Sequence, residues 1–402
     1  MNMRAITPII ALLSLGFATS NCSAQASATP SATASESFYA VSNLATDKEP
    51  GSLIRTADYN ASRLTGSTNS RIMYLSVDAN GQTVATTAAV AVPKGTAPTG
   101  GWPVIAWAHG TVGVGKSCAP SMTDNLSKYG PFIQGFIDNG YAVVATDYSG
   151  LGTTGRHFYS HRESNARDAI ESVRAATTAY PSLSKSFVVI GHSQGGLAAI
   201  GVAETVAALS IAPLQYKGAI AIAPGTGTVQ QYFKAMERNG TSDPTTLAYM
   251  LYYTATLKLS NPGIAYSDML SSDTVTLMPA AESQCLDELR STLKSTPSLP
   301  KYFVKSSWGS HQALASYSQA NHAGQAKATG PLFIAWGTSD PAISRASLDT
   351  FVSASCRLGS TVQFTKYAGA NHSTVLADAK PDMLTWMSQQ FSGTYKTPEC
   401  GT

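Results

Sequence analysis

The feature that most constrains this chain is an alternation of short apolar, β-rich runs with helical stretches. Residues 104–108, 142–146, 187–190, 219–222, 332–336 and 362–367 read as strands, and 132–139, 162–180, 197–209, 347–352 and 376–391 as helices. A strand apolar at successive positions must be covered on both faces, and helices between strands supply the crossovers that parallel neighbours need. The expected fold class is α/β, a mostly parallel central sheet flanked by helices. Ahead of it, runs 72–77 and 84–92 flank Asp78-Ala79-Asn80-Gly81, a hairpin signal. From 225 to 330 the alternation stops, where a connection of about 2–6 residues is usual. That stretch is helical and aromatic, with 247–253 its most apolar part and Tyr302, Phe303 and Trp308 nearby. It reads as an inserted cap, most of whose aromatic residues form its own core while a minority line an apolar pocket. The chain shows no internal repeat.

Charge excludes one broad class. Lys and Arg number 27 against 24 Asp and Glu, a net +3 on a chain only 13% charged, which is too weak a field for a nucleic-acid binder. The N-terminus points to export: Arg4 precedes an apolar run at 9–17, and Ala24-Gln25-Ala26 places small residues ahead of Ser27. We read 1–26 as a signal peptide, since the apolar run falls short of the roughly 20 residues of a membrane span. Cys22 raises lipid anchoring, but Thr19-Ser20-Asn21 is a poor match to the small apolar residues expected before a lipidated cysteine. Residues 27–37, rich in Ser, Thr, Ala and Pro, read as a flexible linker, with folding from Phe38. The expected location is secreted or periplasmic. Without Cys22, Cys118, Cys285, Cys356 and Cys400 remain, an even number that predicts two disulfides in any of three connectivities. None has metal-binding or redox spacing, so no metal site is expected.

Candidate chemistry centres on Gly191-His192-Ser193-Gln194-Gly195, a G-x-S-x-G sequence between a β-branched run and an Ala-rich helix. A serine at such a turn is presented by strained backbone, and flanking glycines let strand and helix approach closely. Its hydroxyl needs a base, and the base needs a carboxylate to orient it. With the order Ser, acid, His, the bases available after Ser193 are His311, His322 and His372. The first two fall in the cap; His372 follows the 362–367 strand and is the expected base. Asp340, just beyond the 332–336 strand, is the expected acid, with turn formation before Pro341 as the plain alternative. Asp349 sits in a helical stretch, and Asp378 and Asp382 read as solvated helix charges. The backbone N–H of Gln194, at the helix start, and that of Thr111, after the 104–108 strand, are the expected oxyanion donors, with Gly110 the competitor of Thr111. His109 reads as a loop-holding residue, His192 as packing and Asp147 as shaping the mouth without catalysis.

Taken together, Ala108-His109-Gly110-Thr111, Cys118-Ala119-Pro120-Ser121, Asp147-Tyr148 and Gly191-His192-Ser193-Gln194-Gly195-Gly196, followed by a long cap, Asp340 and His372, resemble the secretory lipase family of the fungal lipase A type. The resemblance spans about Phe38 to Cys400. It implies an α/β-hydrolase fold with core 38–224 and 331–402 and cap 225–330, and cofactor-free cleavage of carboxylic esters of the lipase or carboxylesterase kind. It also implies that Cys118 pairs with Cys285 and Cys356 with Cys400, and that cap and C-terminal segments form the acyl tunnel. The partners expected are a small-molecule or lipid ester, with transient contact at a lipid–water interface and no obligate protein partner. A peptidase or amidase using the same triad, and a non-catalytic binding protein with a retained fold, are the rival readings.

Overall fold

The computed structural model describes residues 37–44, 47–297 and 303–401. The expected signal peptide, Cys22 and all of the linker before Ser37 lie outside the described residues. Among the described residues nine strands form one sheet: β1 (Leu53–Asp58), β2 (Ser67–Val77), β3 (Thr83–Pro93), β4 (Trp102–Ala108), β5 (Ala142–Thr146), β6 (Leu183–His192), β7 (Gln215–Ile222), β8 (Pro331–Gly337) and β9 (Thr361–Tyr367), in the order β1-β2-β3-β5-β4-β6-β7-β8-β9. Strands β1 to β3 pair antiparallel and β3 joins β5 antiparallel; every pairing from β5 to β9 is parallel.

Side-chain alternation along each strand explains why both faces are covered. On β4, Val104 and Ala106 enter one apolar cluster with Ala166 and Ile170 of helix Arg162–Ala179, Ile200 of helix Gln194–Thr205 and Phe351 of helix Arg345–Arg357. Ile105 and Trp107 enter the opposite cluster with Phe136 of helix Gly130–Ile137 and Met383 and Trp386 of helix Lys380–Ser392. Each fully buried aliphatic or aromatic side chain contributes about 1.5–3 kcal/mol. The hairpin forms at 78–81, where Asp78 Oδ1 accepts from Asn80 N–H and Gln82 N–H and Gly81 takes φ 77°.

Two elements differ from expectation. Strand β1, an edge strand in which half-buried and exposed positions alternate, lacks the continuous apolar run that marks the inner strands. The last helical stretch divides into Val375–Asp378 and Lys380–Ser392, because Pro381 has no N–H to continue the first and is suited to the first turn of the second.

Between β7 and β8 the chain builds helices with a core of their own. Phe233, Leu251, Tyr252, Met269, Leu289 and Leu314 are fully buried there, and Val114 and Tyr159 from loops beside the sheet join the same cluster. This segment is fastened next to the end of β4: Cys285 is bonded to Cys118, pairs with Gly113 in an isolated bridge, and is followed by Leu286, whose N–H donates to Val112 O at 2.8 Å. The second disulfide, Cys356–Cys400, holds the C-terminal tail to helix Arg345–Arg357. Among the described residues no helix is long and apolar enough to cross a membrane.

The two cross-links close stretches of 167 and 44 residues. Loop-closure entropy then makes the double substitution Cys356→Ala/Cys400→Ala cost about 2–4 kcal/mol, read as a lower urea midpoint with an unchanged β-sheet circular dichroism signal. An unshifted midpoint contradicts this.

Candidate active site

Strand β6 ends at His192, paired with Ile222, and helix Gln194–Thr205 starts two residues later. Ser193 between them takes φ 58° and ψ −113°, a conformation that costs energy for any residue bearing a Cβ. Its neighbours hold it there. A Cβ on Gly191 would lie 1.9 Å from Gly195 O, and one on Gly195 would lie 1.9 Å from Ala108 O. Strand, turn and helix therefore pack at a distance that only glycine permits. Ser193 N–H donates to Ile222 O at 2.9 Å, while its carbonyl accepts from Leu197 N–H at 3.2 Å and Gly225 N–H at 3.4 Å. The side chain of Gln194 is turned inward, its Nε2 donating to His157 Nε2 at 3.0 Å and Asn165 Oδ1 at 3.3 Å. Its backbone N–H has no partner among the described residues, as expected for the first amide of a helix.

Asp340 and His372 leave the carboxyl ends of β8 and β9 and meet: His372 Nδ1–H donates to Asp340 Oδ2 at 2.7 Å. The other carboxylate oxygen of Asp340 accepts from Ala342 N–H at 2.8 Å and Ile343 N–H at 3.0 Å. Holding the His372 ring and forming the Asp-Pro turn are thus done by one residue. Burial alone would raise the Asp340 pKa; the hydrogen bond and charge of His372 and the two amides outweigh it and hold the carboxyl below its ordinary value. His372 lies against the serine turn, with its carbonyl accepting from His192 Nε2–H at 2.8 Å and the two imidazole rings 4.7 Å apart. Its Nε2 and the Ser193 hydroxyl have no hydrogen-bond partners among the described residues, so His372 is joined to Asp340 but not to Ser193. Serine–histidine bonds commonly close only when substrate is bound.

The loop after β4 supplies the facing side. His109 lies between two carbonyls, Gly110 O at 2.7 Å and Asp147 O at 3.2 Å, and burial pushes its pKa down to about 4, which suits a loop-holding residue. Gly110 N–H donates to Tyr129 Oη at 3.2 Å, whereas Thr111 N–H has no partner among the described residues. Thr111 Oγ1 is 2.8 Å from Tyr159 Oη. Of the two amides considered for an oxyanion, Gly110's is occupied.

The remaining candidates have local duties. His311 caps helix Gln312–Asn321 by accepting from Ala313 N–H at 3.2 Å and stacks on Trp308; His322 contacts Gln319 O at 3.1 Å. Asp349 pairs with Arg345, and Asp382 accepts from Tyr367 Oη at 2.8 Å. No group of three or more His, Cys, Asp or Glu among the described residues is arranged to hold a metal ion. Tyr129, His157, Asn165 and Tyr159 are contributors that sequence reading missed, because none belongs to a recognisable local pattern.

Asp147 is fully buried at the end of β5 and accepts from Ser121 N–H at 2.8 Å, the Ser121 hydroxyl and Thr87 Oγ1–H at 2.6 Å. Burial raises its pKa to about 6 despite these donors. A raised acid pKa means the folded state holds the proton more tightly than the unfolded one. The resulting stability is complete below the ordinary carboxylate range and is lost as pH rises through about 6. Asp147→Asn, which does not titrate, is therefore expected to gain stability relative to the parent on going from about pH 4 to pH 8, by roughly 2 kcal/mol. Urea unfolding at the two pH values checks this, and a pH-independent difference contradicts it.

A family model described as Serine aminopeptidase, S33 matches residues 119–378. No curated protein matches the chain in sequence. Among solved structures, Candida antarctica lipase A in its closed state is similar over 91% of this chain and 87% of its own, with a TM-score of 0.76 at 19% identity. The rice cell wall degrading esterase LipA from Xanthomonas oryzae is similar over 87% of this chain and 100% of its own, with a TM-score of 0.73 at 16% identity. At these identities the likeness establishes the fold, which is the α/β-hydrolase fold expected from the secretory-lipase resemblance. The match over residues 119–378 covers well over half of the sequence, and the chain belongs to the serine aminopeptidase S33 family of α/β-hydrolases.

Proposed function

We propose that this hydrolase is an exported carboxylic-ester hydrolase of the lipase or esterase kind, working through Ser193, His372 and Asp340. The observation that carries the reading is the 2.7 Å bond from His372 to Asp340, held against the strained turn that bears Ser193. In the reaction Ser193 Oγ attacks the ester carbonyl while His372 Nε2 takes the hydroxyl proton. The N–H groups of Gln194 and Thr111 stabilise the oxyanion, each such donor supplying roughly 3–4 kcal/mol in the transition state. Collapse expels the alcohol, which receives the proton from His372, and the acyl group stays on Ser193. Water, deprotonated by the same imidazole, then releases the carboxylic acid.

Residues 225–330 act as a cap on the core formed by 38–224 and 331–402. An apolar ester suits its aromatic character: Tyr159, next to Thr111, packs on Tyr252 and Tyr253 at ring distances of 5.6 and 4.8 Å. Two disulfides accord with an oxidising location and with a signal peptide at 1–26.

A peptidase reading is favoured by the family description, and it needs charged groups to hold a peptide terminus. Several of the cap charges have partners of their own. Glu237 accepts from Ser307 N–H and Gly309 N–H, Glu282 pairs with Arg156 and accepts from Tyr266 Oη, and Asp287 pairs with Arg290. We therefore expect p-nitrophenyl esters to be cleaved far faster than aminoacyl p-nitroanilides, Ser193→Ala to lose at least about 10³-fold in kcat, and Asp340→Asn roughly 10⁴-fold. A fluorophosphonate probe is expected to label Ser193. Faster cleavage of the anilides overturns the ester assignment, and undiminished hydrolysis by Ser193→Ala overturns the triad.

A further inference from the structure

Three loops must be held in register for the proposed chemistry: the one after β4 that carries Thr111, the turn at Ser193 and the loop after β9 that carries His372. Their shared neighbour is His192, the last residue of β6 and 4% exposed. Its two ring nitrogens have different partners. Nε2 is 2.8 Å from the carbonyl of His372, which can only accept, so Nε2 carries a proton. Nδ1 is 2.9 Å from Tyr129 Oη, and Tyr129 Oη is in turn 3.2 Å from Gly110 N–H, which can only donate. With a neutral ring the direction of every bond is then determined: Gly110 N–H donates to Tyr129 Oη, the phenol proton is donated to His192 Nδ1, and His192 Nε2–H is donated to the His372 carbonyl. Burial, together with the adjacent His372, pushes the His192 pKa down to about 3 and so keeps the ring neutral.

A glycine at the head of this chain is also required. A Cβ on residue 110 would lie 2.5 Å from Tyr129 Oη and 3.3 Å from His192 Nδ1. Tyr129 thereby removes the Gly110 amide from the reaction and leaves that of Thr111 available. At the other end the base is fixed twice, by Asp340 through its ring and by His192 through its own peptide group.

We propose, building on the triad reading above, that Tyr129 and His192 are positioning residues: a two-link hydrogen-bonded chain that sets the oxyanion loop and the base loop relative to Ser193. Neither touches the substrate, and neither exchanges a proton with it. The chain acts on geometry, so its loss is felt in turnover more than in binding.

The test uses p-nitrophenyl butyrate with the parent enzyme, Tyr129→Phe, His192→Phe, the double variant and Ser193→Ala. Each single substitution is expected to lower kcat roughly tenfold with KM within about twofold. The double variant is expected to be no slower than the worse single one, because breaking a chain at either link breaks it. Retention of kcat within about twofold in both single variants, multiplicative losses in the double variant, or losses confined to KM overturn the proposal. Full activity of Ser193→Ala overturns the triad and this inference with it; an inactive Ser193→Ala beside fully active Tyr129→Phe and His192→Phe overturns this inference alone. Should a variant not fold, ¹⁵N spectra of the parent enzyme labelled at histidine decide: His192 is expected as the neutral Nε2–H tautomer, unchanged from about pH 5 to pH 9. The Nδ1–H tautomer, or titration within that range, overturns it.

Discussion

The close approach of Gly195 to the end of β4 is the contact on which the site depends. With no Cβ at residue 195 the first turn of helix Gln194–Thr205 lies against Ala108 O, and with none at 191 the end of β6 lies against Gly195 O. Those two approaches leave Ser193 nowhere to go except the strained φ 58° conformation. They also set the spacing between the helix N-terminus and the loop carrying Thr111, the two sides whose amides bind the oxyanion in the proposed mechanism. Strain at one residue is thus offset by the packing of a nine-stranded sheet and its helices.

Around this turn the titratable groups are arranged so that few carry charge. Burial pushes the pKa values of His109 to about 4 and of His157 and His192 to about 3, leaving each a neutral hydrogen-bonding group at ordinary pH. Each fixes a different piece: His109 the loop after β4, His157 the side chain of Gln194, His192 the carbonyl of His372. Asp340, held below the ordinary carboxylate range, faces His372 as the ionised partner. In the proposed mechanism a developing oxyanion meets fixed amides and a helix dipole, which need no rearrangement when charge appears.

Much of this architecture could be read from the amino-acid order, for identifiable reasons. Close backbone approach leaves glycines at 191, 195 and 196 in the sequence, and strands covered on both faces leave apolar runs. Asp340 and His372 stood out because both directly follow such runs, at the sheet edge where loops converge. What was illegible depends on distant partners. Tyr129 reaches Gly110 and His192 from a loop in which Leu126, Ser127 and Lys128 all take positive φ without a glycine among them, so no turn signal announces it. Strand β1 has charged residues, Arg55 and Asp58, where an inner strand has aliphatic ones. That the Gly110 amide is taken up by the phenol of Tyr129, while that of Thr111 is not, likewise depends on a partner distant in sequence.

The most direct measurement is a crystal structure of the enzyme after reaction with a p-nitrophenyl alkylphosphonate, a stable mimic of the tetrahedral intermediate. The account predicts phosphorus bonded to Ser193 Oγ, His372 Nε2 within hydrogen-bond reach of an ester oxygen, and the phosphoryl oxygen about 2.7–3.1 Å from the backbone nitrogens of both Gln194 and Thr111. Phosphorus on another residue, or a phosphoryl oxygen turned away from both amides, contradicts it.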